Sequence, residues 1–314
     1  MVKKILIFIL SVTVVSADGI FESLGGQKVG TTSLVFLKIG IGTRATGLGG
    51  AFVGVADDPS TFFWNPGGVP NLGNSFYLNV ISLPENVTMS FISVSRELGL
   101  YGNVGLFVIG LDAGYMEETD EYHPFGTGRY FHYSDYLIGA NYSKKVTDRF
   151  SFGINLKGFM EEFYGLHSYG FGFDVGTFYL VGYRDIRIGV SLSNLGPDVK
   201  PTGDSLDYLS FSIPIVYRMG VSGLIFDKFR ASLELDKPSD NVETLKVGGE
   251  FMPVKSISLY GGMKLNARPP ADGFLIPGLS FGLDARFKKF KVGYSAVDMG
   301  VLGLVHRFSL EFRK

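Results

Sequence analysis

The stretch FSFGINLKGFME, Phe150 to Glu161, decides the fold. Phe150, Phe152, Ile154, Leu156 and Met160 alternate with Ser151, Gly153, Asn155, Lys157 and Glu161, the period-two pattern of a strand whose faces meet unlike surroundings. The pattern recurs. Tyr169, Phe171, Phe173 and Val175 alternate with Ser168, Gly170, Gly172 and Asp174, and Ile186, Ile188, Val190 and Leu192 with Arg187, Gly189, Ser191 and Ser193. Further copies run through 229–236, 279–286 and 304–312, where His306 joins the apolar face of the last. With weaker segments included, strands are expected near 73–83, 86–97, 100–111, 131–143, 149–162, 168–180, 185–195, 209–224, 228–236, 242–252, 255–265, 275–286, 289–297 and 303–313. That is about fourteen, an even number, each near the ~10 residues that cross a bilayer at a tilt. Two segments break the pattern: 86–97 loses its register around Ile92, and Pro214 stands inside 209–224, where it removes a ladder donor.

Alternation alone does not separate a lipid-facing barrel from a soluble sandwich. The connectors do. Around Leu98-Gly99, Lys144 to Asp148, Val181 to Arg184, Ile225 to Asp227, Pro253-Val254 and Phe287-Lys288 the links are short, whereas Asp112 to Tyr130, Gly196 to Tyr208 and Asn266 to Phe274 are long. Every long connector falls at one end, as in single-chain outer-membrane barrels with short periplasmic turns. Closure also removes the free sheet edge that lipid does not tolerate. Composition agrees: hydrophobic residues make up 46 % of the 314, charged residues 19 %, and there are 43 glycines, about twice the average usage of ~7 %.

The N-terminus reads as an export signal. Met1 to Lys4 is basic, Ile5 to Val15 is an apolar run, and Val15-Ser16-Ala17 is a small-residue cleavage site. The expected division is 1–17 signal peptide, 18–72 lead-in and plug, and 73–314 barrel, with the mature protein in the outer membrane and lipid as its surroundings. Removing Lys3 and Lys4 takes the formal charge from −1 to −3, so no basic excess points to nucleic acid. With no cysteine, disulfides and thiolate metal sites are excluded.

Before the strands stands TRATGLGGAFVGVADDPSTFFWNPGGVP, Thr43 to Pro70, dense in glycine, turn residues and aromatics. Arg44 to Gly54 is expected to be extended and glycine-punctuated. Asp58 reads as an N-cap, with Pro59 at the first helical position and a short turn through Trp64. Asn65-Pro66-Gly67-Gly68 ends that turn. The whole reads as a compact plug, with the strands as its container. A barrel of about fourteen strands is wider than the eight-strand size that side chains alone fill, so something must occupy its lumen.

The run FLKIGIGTRATGLGGAFVGVADDPSTFFWNPGGVP, Phe36 to Pro70, resembles the N-terminal signature of the PorV/PorQ outer-membrane proteins, relatives of the FadL long-chain fatty-acid transporters. Arg44-Ala45, Gly47 to Phe52, Ala56-Asp57-Asp58 and Trp64-Asn65-Pro66 carry the resemblance. The family usually has alanine where this chain has Gly67. The FadL side implies a conduit for hydrophobic small molecules closed by an N-terminal hatch; the PorV side implies a secretion or surface-assembly component that binds exported proteins. A purely structural barrel or an enzyme ranks last. Arg44, Asp57, Asp58, Trp64, Asn65, Pro66 and Gly67 are the candidate plug or gating residues.

Other motifs have plainer readings. His123, His132 and His167 fall in or beside outer loops without metal-ligand spacing, and no Ser/His or Asp/His signature of a hydrolase is present. Asp57-Asp58 lacks the spaced oxygen ligands of a calcium loop, and Gly47 to Gly50 is not a dinucleotide fingerprint. No cofactor is called for. The expected lumen charges mix both signs, Lys157, Glu161, Asp174, Arg187, Arg230, Glu234, Lys246, Glu250, Asp284, Arg286, Arg307 and Glu311, a salt-bridged lining rather than a single-sign selective ring. Trp64, the one tryptophan, reads as a packing anchor of the plug ahead of a pocket wall.

Overall fold

The computed structural model describes residues 30, 32–202, 210–265 and 278–314; the expected signal segment and the Asn266 to Phe274 connector lie outside them. The strands are β1 (Ser75–Ser82), β2 (Thr88–Glu97), β3 (Asn103–Glu117), β4 (Tyr130–Lys145), β5 (Phe150–Phe163), β6 (Leu166–Leu180), β7 (Arg187–Leu195), β8 (Lys200–Thr202), β9 (Val216–Phe226), β10 (Phe229–Pro238), β11 (Thr244–Val254), β12 (Ile257–Lys264), β13 (Ser280–Phe287), β14 (Phe290–Asp298) and β15 (Leu304–Arg313). β8 is a three-residue addition against β6. The other fourteen close into one antiparallel barrel, each beside its neighbour, with β1 paired to β15 and β5 to β6.

The two faces sort as the alternation requires. Leu156 and Phe171 are 66 % and 67 % exposed on the outside, whereas Asn155 and Asp174 are 0 % and 1 % exposed within. An apolar outer belt of this extent is stable only against lipid. Six short links lie at the end that also carries Ser75 and Arg313, the narrowest being Asp227-Lys228, Lys255-Ser256 and Lys288-Lys289. The 118–129 connector and the described parts of the link from β7 to β9, 196–202 and 210–215, lie at the other end.

Two irregularities in the sequence resolve differently. β2 keeps an unbroken register with β1 and β3 through Ile92. What changes there is the lumen: its inward residues are Met89 and Phe91 at the long-loop half, then Ser93 and Ser95 toward the short turns. The expected 209–224 strand begins only at Val216, so Pro214 precedes the ladder. Its carbonyl is free of strand pairing and accepts from Asn194 Nδ2 at 2.9 Å.

The segment before β1 fills the barrel. The expected extended Arg44 to Gly54 contains instead a helical turn, Thr43–Gly47. Thr46 N bonds the Gly42 carbonyl at 3.1 Å and Thr46 Oγ1 reinforces the same carbonyl at 2.6 Å, which closes the turn despite the glycines. A second helical turn, Thr61–Trp64, is followed by a 3-10 turn, Pro66–Asn71.

Candidate functional site: the hatch and the lumen around it

A plug of short turns leaves most of its backbone without secondary-structure partners, and buried N–H and C=O groups must be paired. The barrel wall pairs them. Asn79 on β1 accepts from Gly42 N at 2.9 Å. Ser151 and Asn155 on β5 donate to the Gly67 and Phe62 carbonyls at 2.7 Å each. Ser191, Ser222 and Ser280 donate to Trp64, Gly54 and Gly47 carbonyls at 2.8, 2.9 and 3.0 Å. Glu234 on β10 accepts two adjacent hatch amides, Phe52 N at 2.8 Å and Val53 N at 2.7 Å, through one carboxylate oxygen. Inward serine and asparagine are therefore receptors for hatch backbone.

Asn65 is the centre of this seat. Its Nδ2 donates to the Val53 carbonyl in the hatch and the Thr177 carbonyl of β6, both at 3.0 Å, and its Oδ1 accepts from Gly67 N at 3.0 Å. One fully buried amide thus starts the 3-10 turn, staples two hatch segments and ties both to the wall. Pro66 follows at the first position of that turn, where its missing N–H costs nothing. Gly67 lies so close to β6 that a Cβ would stand 2.8 Å from the Gly176 oxygen and from Thr177 Cα, which is the physical reason this chain has glycine there. Across the same contact, a Cβ on Gly153 of β5 would meet the Pro66 oxygen at 2.1 Å.

Asp58 does not cap the Thr61–Trp64 turn. Ser60 holds the N-cap position, and Asp58 Oδ1 accepts from Ser60 N at 2.9 Å and Ser60 Oγ at 2.6 Å. The aspartate closes a side-chain turn of its own one step earlier, because Pro59 and Ser60 come before helical geometry is established. Trp64 is buried with Ala45, Leu48, Phe52, Val55 and Tyr260. Its indole N–H donates to the Ile41 carbonyl at 2.9 Å, and its ring lies 5.2 Å from the Arg218 guanidinium carbon and 5.3 Å from Lys246 Nζ, within cation–π range.

Charge ties the hatch to the short-turn end. Arg44 meets Glu250 of β11 through both Nε (2.9 Å) and Nη2 (2.7 Å), while its Nη1 pairs with Asp57. Asp57 is also bound by Arg187 at the start of β7, whose other edge holds Asp185 at 2.7 Å. Burial would push the Asp57 carboxyl up, but Arg44, then Arg187 and Arg230, outweigh it and hold it well below the usual carboxylate range. Asp57 therefore faces the guanidinium groups of Arg44 and Arg187, and Asp58 lies 4.0 Å from Arg44. Arg44, Asp57, Asp185, Arg187, Arg230 and Glu250 line a polar cavity of about 420 Å³ beneath the hatch. Deeper in the lumen, Lys157 pairs with Asp174 at 2.6 Å and Lys246 with Glu234 at 3.1 Å, so these members of the mixed-sign lining are salt-bridged, whereas Arg286 and Arg307 form no ion pair among the described residues.

On the other side of the hatch the lumen is apolar. Tyr77, Ile81, Met89, Phe91, Phe107, Ile109, Leu111, Leu137 and Phe159 point inward from β1 to β5 and pack with Phe36, Leu37, Ile41 and Phe62 of the plug. Between Phe62, Leu37, Phe107 and Leu137 only about 10 Å³ is free, room for at most one water. This lining was missed by alternation, which reserves apolar residues for the outer face. Its signal is a strand apolar on both faces, as in FVIGL, Phe107 to Leu111. The histidines lie elsewhere: His123 meets Asp120 at 2.9 Å, His132 meets Asp112 at 3.1 Å and His306 meets Tyr294 at 2.8 Å. Among the described residues no three His, Cys, Asp or Glu side chains gather as metal ligands.

No family model matches this sequence, and no curated protein sequence matches it. Solved structures do share the fold. The CymD monoaromatic hydrocarbon channel aligns with a TM-score of 0.64 at 13 % identity, covering 90 % of this chain and 99 % of CymD. The Pseudomonas putida toluene transporter TodX gives 0.59 at 11 % identity, with 87 % and 96 % covered. A Pseudomonas aeruginosa FadL homologue gives 0.56 at 12 % identity, with 92 % and 99 % covered. The chain thus has the fold of the FadL-like barrels.

Proposed function

We propose that this protein is an outer-membrane channel for hydrophobic small molecules, closed at its periplasmic end by the hatch formed from residues 34–72. The observation that carries the reading is the inward apolar wall of β1 to β5 packed on a hatch that polar groups latch to the barrel. Apolar side chains on a lumen surface gain nothing from lipid; they are covered by the plug or by an apolar cargo. The neighbours in fold include channels for monoaromatic hydrocarbons and toluene, which supports a cargo of that general kind.

One residue favours a cargo with an anionic end. Arg307 on β15 is 3 % exposed, and its Nε and Nη1 have no hydrogen-bond partner among the described residues. It stands opposite Ile81 and two residues from Val305, both in the apolar cluster. A buried guanidinium with two such unsatisfied nitrogens is disfavoured, and a carboxylate-headed amphiphile would satisfy it while its chain lay against the apolar wall.

The test is uptake of a labelled long-chain fatty acid and of a neutral alcohol of equal length into cells lacking their own carrier. Leu137→Asp should abolish both, and Arg307→Met should reduce the acid selectively. Uptake of both by Leu137→Asp at the wild-type rate, in a correctly folded barrel, would reject the conduit. Lost binding of an exported protein with unchanged uptake would instead favour the secretion role that the PorV/PorQ resemblance implies.

A further inference from the structure

The six short hairpin turns share a composition that the channel reading does not use. The β2–β3 turn carries exposed Arg96 with Leu100 and Tyr101, and the β4–β5 turn Lys145 and Arg149 with Val146. Arg184 and Tyr183 mark the β6–β7 turn, Lys228 and Phe226 the β9–β10 turn, and Lys255 and Val254 the β11–β12 turn. The β13–β14 turn has Lys288 and Lys289 between Phe287 and Phe290, while Arg286 just before them lines the cavity beneath the hatch. Every turn therefore pairs at least one exposed cation with at least one exposed apolar side chain, up to Leu100 at 91 % and Phe287 at 66 % exposure.

None of these cations forms an ion pair among the described residues. Among the described residues the exposed acids beside them are only Glu97, Asp148 and Asp227. Among the described residues the opposite end has an acidic excess, with Glu85, Asp112, Glu117, Asp120, Glu121 and Asp198 exposed against Arg129, Lys200 and Lys264. The whole chain carries a formal charge of −1, so the basic rim is segregation of charge along the barrel axis and not a general excess.

We infer that the short-turn rim is a docking ring for anionic phospholipid headgroups, with each apolar tip set at the acyl boundary and each neighbouring Lys or Arg on a phosphate. Two features select lipid over a protein partner. The pairing of cation with apolar tip repeats at all six turns around a closed circumference, which matches a leaflet that surrounds the barrel, whereas a protein would press on one sector. The rim also lies where the outer apolar belt ends, the depth at which basic and aromatic side chains meet headgroups. That the leaflet is the periplasmic one rests on the orientation proposed above; the affinity itself does not.

The full-length barrel reconstituted in phosphatidylcholine vesicles, with spin-labelled phosphatidylglycerol or phosphatidylcholine as probe, reads this directly. The wild type should hold phosphatidylglycerol at its boundary at least about threefold over phosphatidylcholine, and high salt should erase most of the preference. Combined Lys145→Gln, Arg149→Gln, Arg184→Gln, Lys228→Gln, Lys255→Gln, Lys288→Gln and Lys289→Gln should bring the ratio close to one, whereas Arg129→Gln with Lys200→Gln at the other end should leave it unchanged. Heat-modifiable mobility verifies that each variant is folded. A wild-type ratio near one, as expected if the rim serves an acidic protein, overturns the inference, and so does a preference that survives the rim substitutions. Fatty-acid uptake should persist in the rim variant, so failure of the lipid ring and failure of the channel reading are separately visible.

Discussion

Arg44 and Glu250, 206 residues apart, form a buried two-point pair that joins the hatch to the wall of β11. Fork-to-carboxylate geometry fixes orientation as well as distance. Removal of Glu250 leaves the buried Arg44 guanidinium with Asp57 as its remaining close partner; breaking a buried pair outright typically costs ~3–5 kcal/mol, and the retained Asp57 contact sets that as an upper bound. Glu250→Leu should therefore release the hatch and raise single-channel conductance in planar bilayers. The double variant Arg44→Met with Glu250→Leu should be milder than Glu250→Leu alone. Equal conductance in wild type and Glu250→Leu would show that this pair does not hold the hatch.

The pH dependence follows from Asp57, whose folded-state value lies below its unfolded one because Arg44, Arg187 and Arg230 outweigh burial. A depressed carboxylate contributes stability above its unfolded pKa of ~3.9 and loses it as pH falls through the folded value. Wild-type conductance should then stay flat from about pH 8 to about pH 4 and rise only in stronger acid. Opening between neutral and mildly acidic pH would place control in another group.

Asn65→Ala with Pro66→Ala removes three hydrogen bonds of a buried side chain and the preset backbone of the 3-10 turn. A buried group left unsatisfied costs ~1–3 kcal/mol. The expected result is a loosened hatch in an intact barrel: raised conductance, altered fatty-acid uptake and unchanged heat-modifiable mobility. Conductance, uptake and partner binding all at wild-type levels would mean that the hatch is not a gate.

Phe171 faces outward and Ser232 inward. Arginine at Phe171 should cost ~2–4 kcal/mol if the site lies at the bilayer midplane, measured as the shift in a urea folding titration in vesicles. Ser232→Arg meets the lumen instead, and its effect should appear in conductance. Equal titration shifts for both would contradict the assignment of faces.

Orientation can be read by thiol labelling, since the chain has no native cysteine. Glu121→Cys, in the long connector between β3 and β4, should react with an impermeant reagent on whole cells, and Lys145→Cys or Lys288→Cys should not. Similar rates at both ends would refute the orientation.

Alternation along segments such as Phe150 to Glu161 determined the strands and their two faces, because side-chain direction in a strand is a local property with a period of two, and the connector lengths turned those strands into a barrel of about fourteen. The short and long connectors were legible for the same reason. Asn65 could be singled out from its place beside Pro66, and the hatch from its lack of alternation. The tertiary structure alone decided what the inward face meets. Met89 and Phe91 cover an apolar lumen while Ser93 and Ser95 belong to its polar half, a change made by the depth at which the hatch sits and not by any change of register. Likewise Arg44 and Glu250, or Glu234 and the Phe52 and Val53 amides, meet only because barrel closure brings distant strands around the plug. Periodicity fixes which side of the sheet a residue takes, and only the closed sheet and the packed hatch determine its partner there.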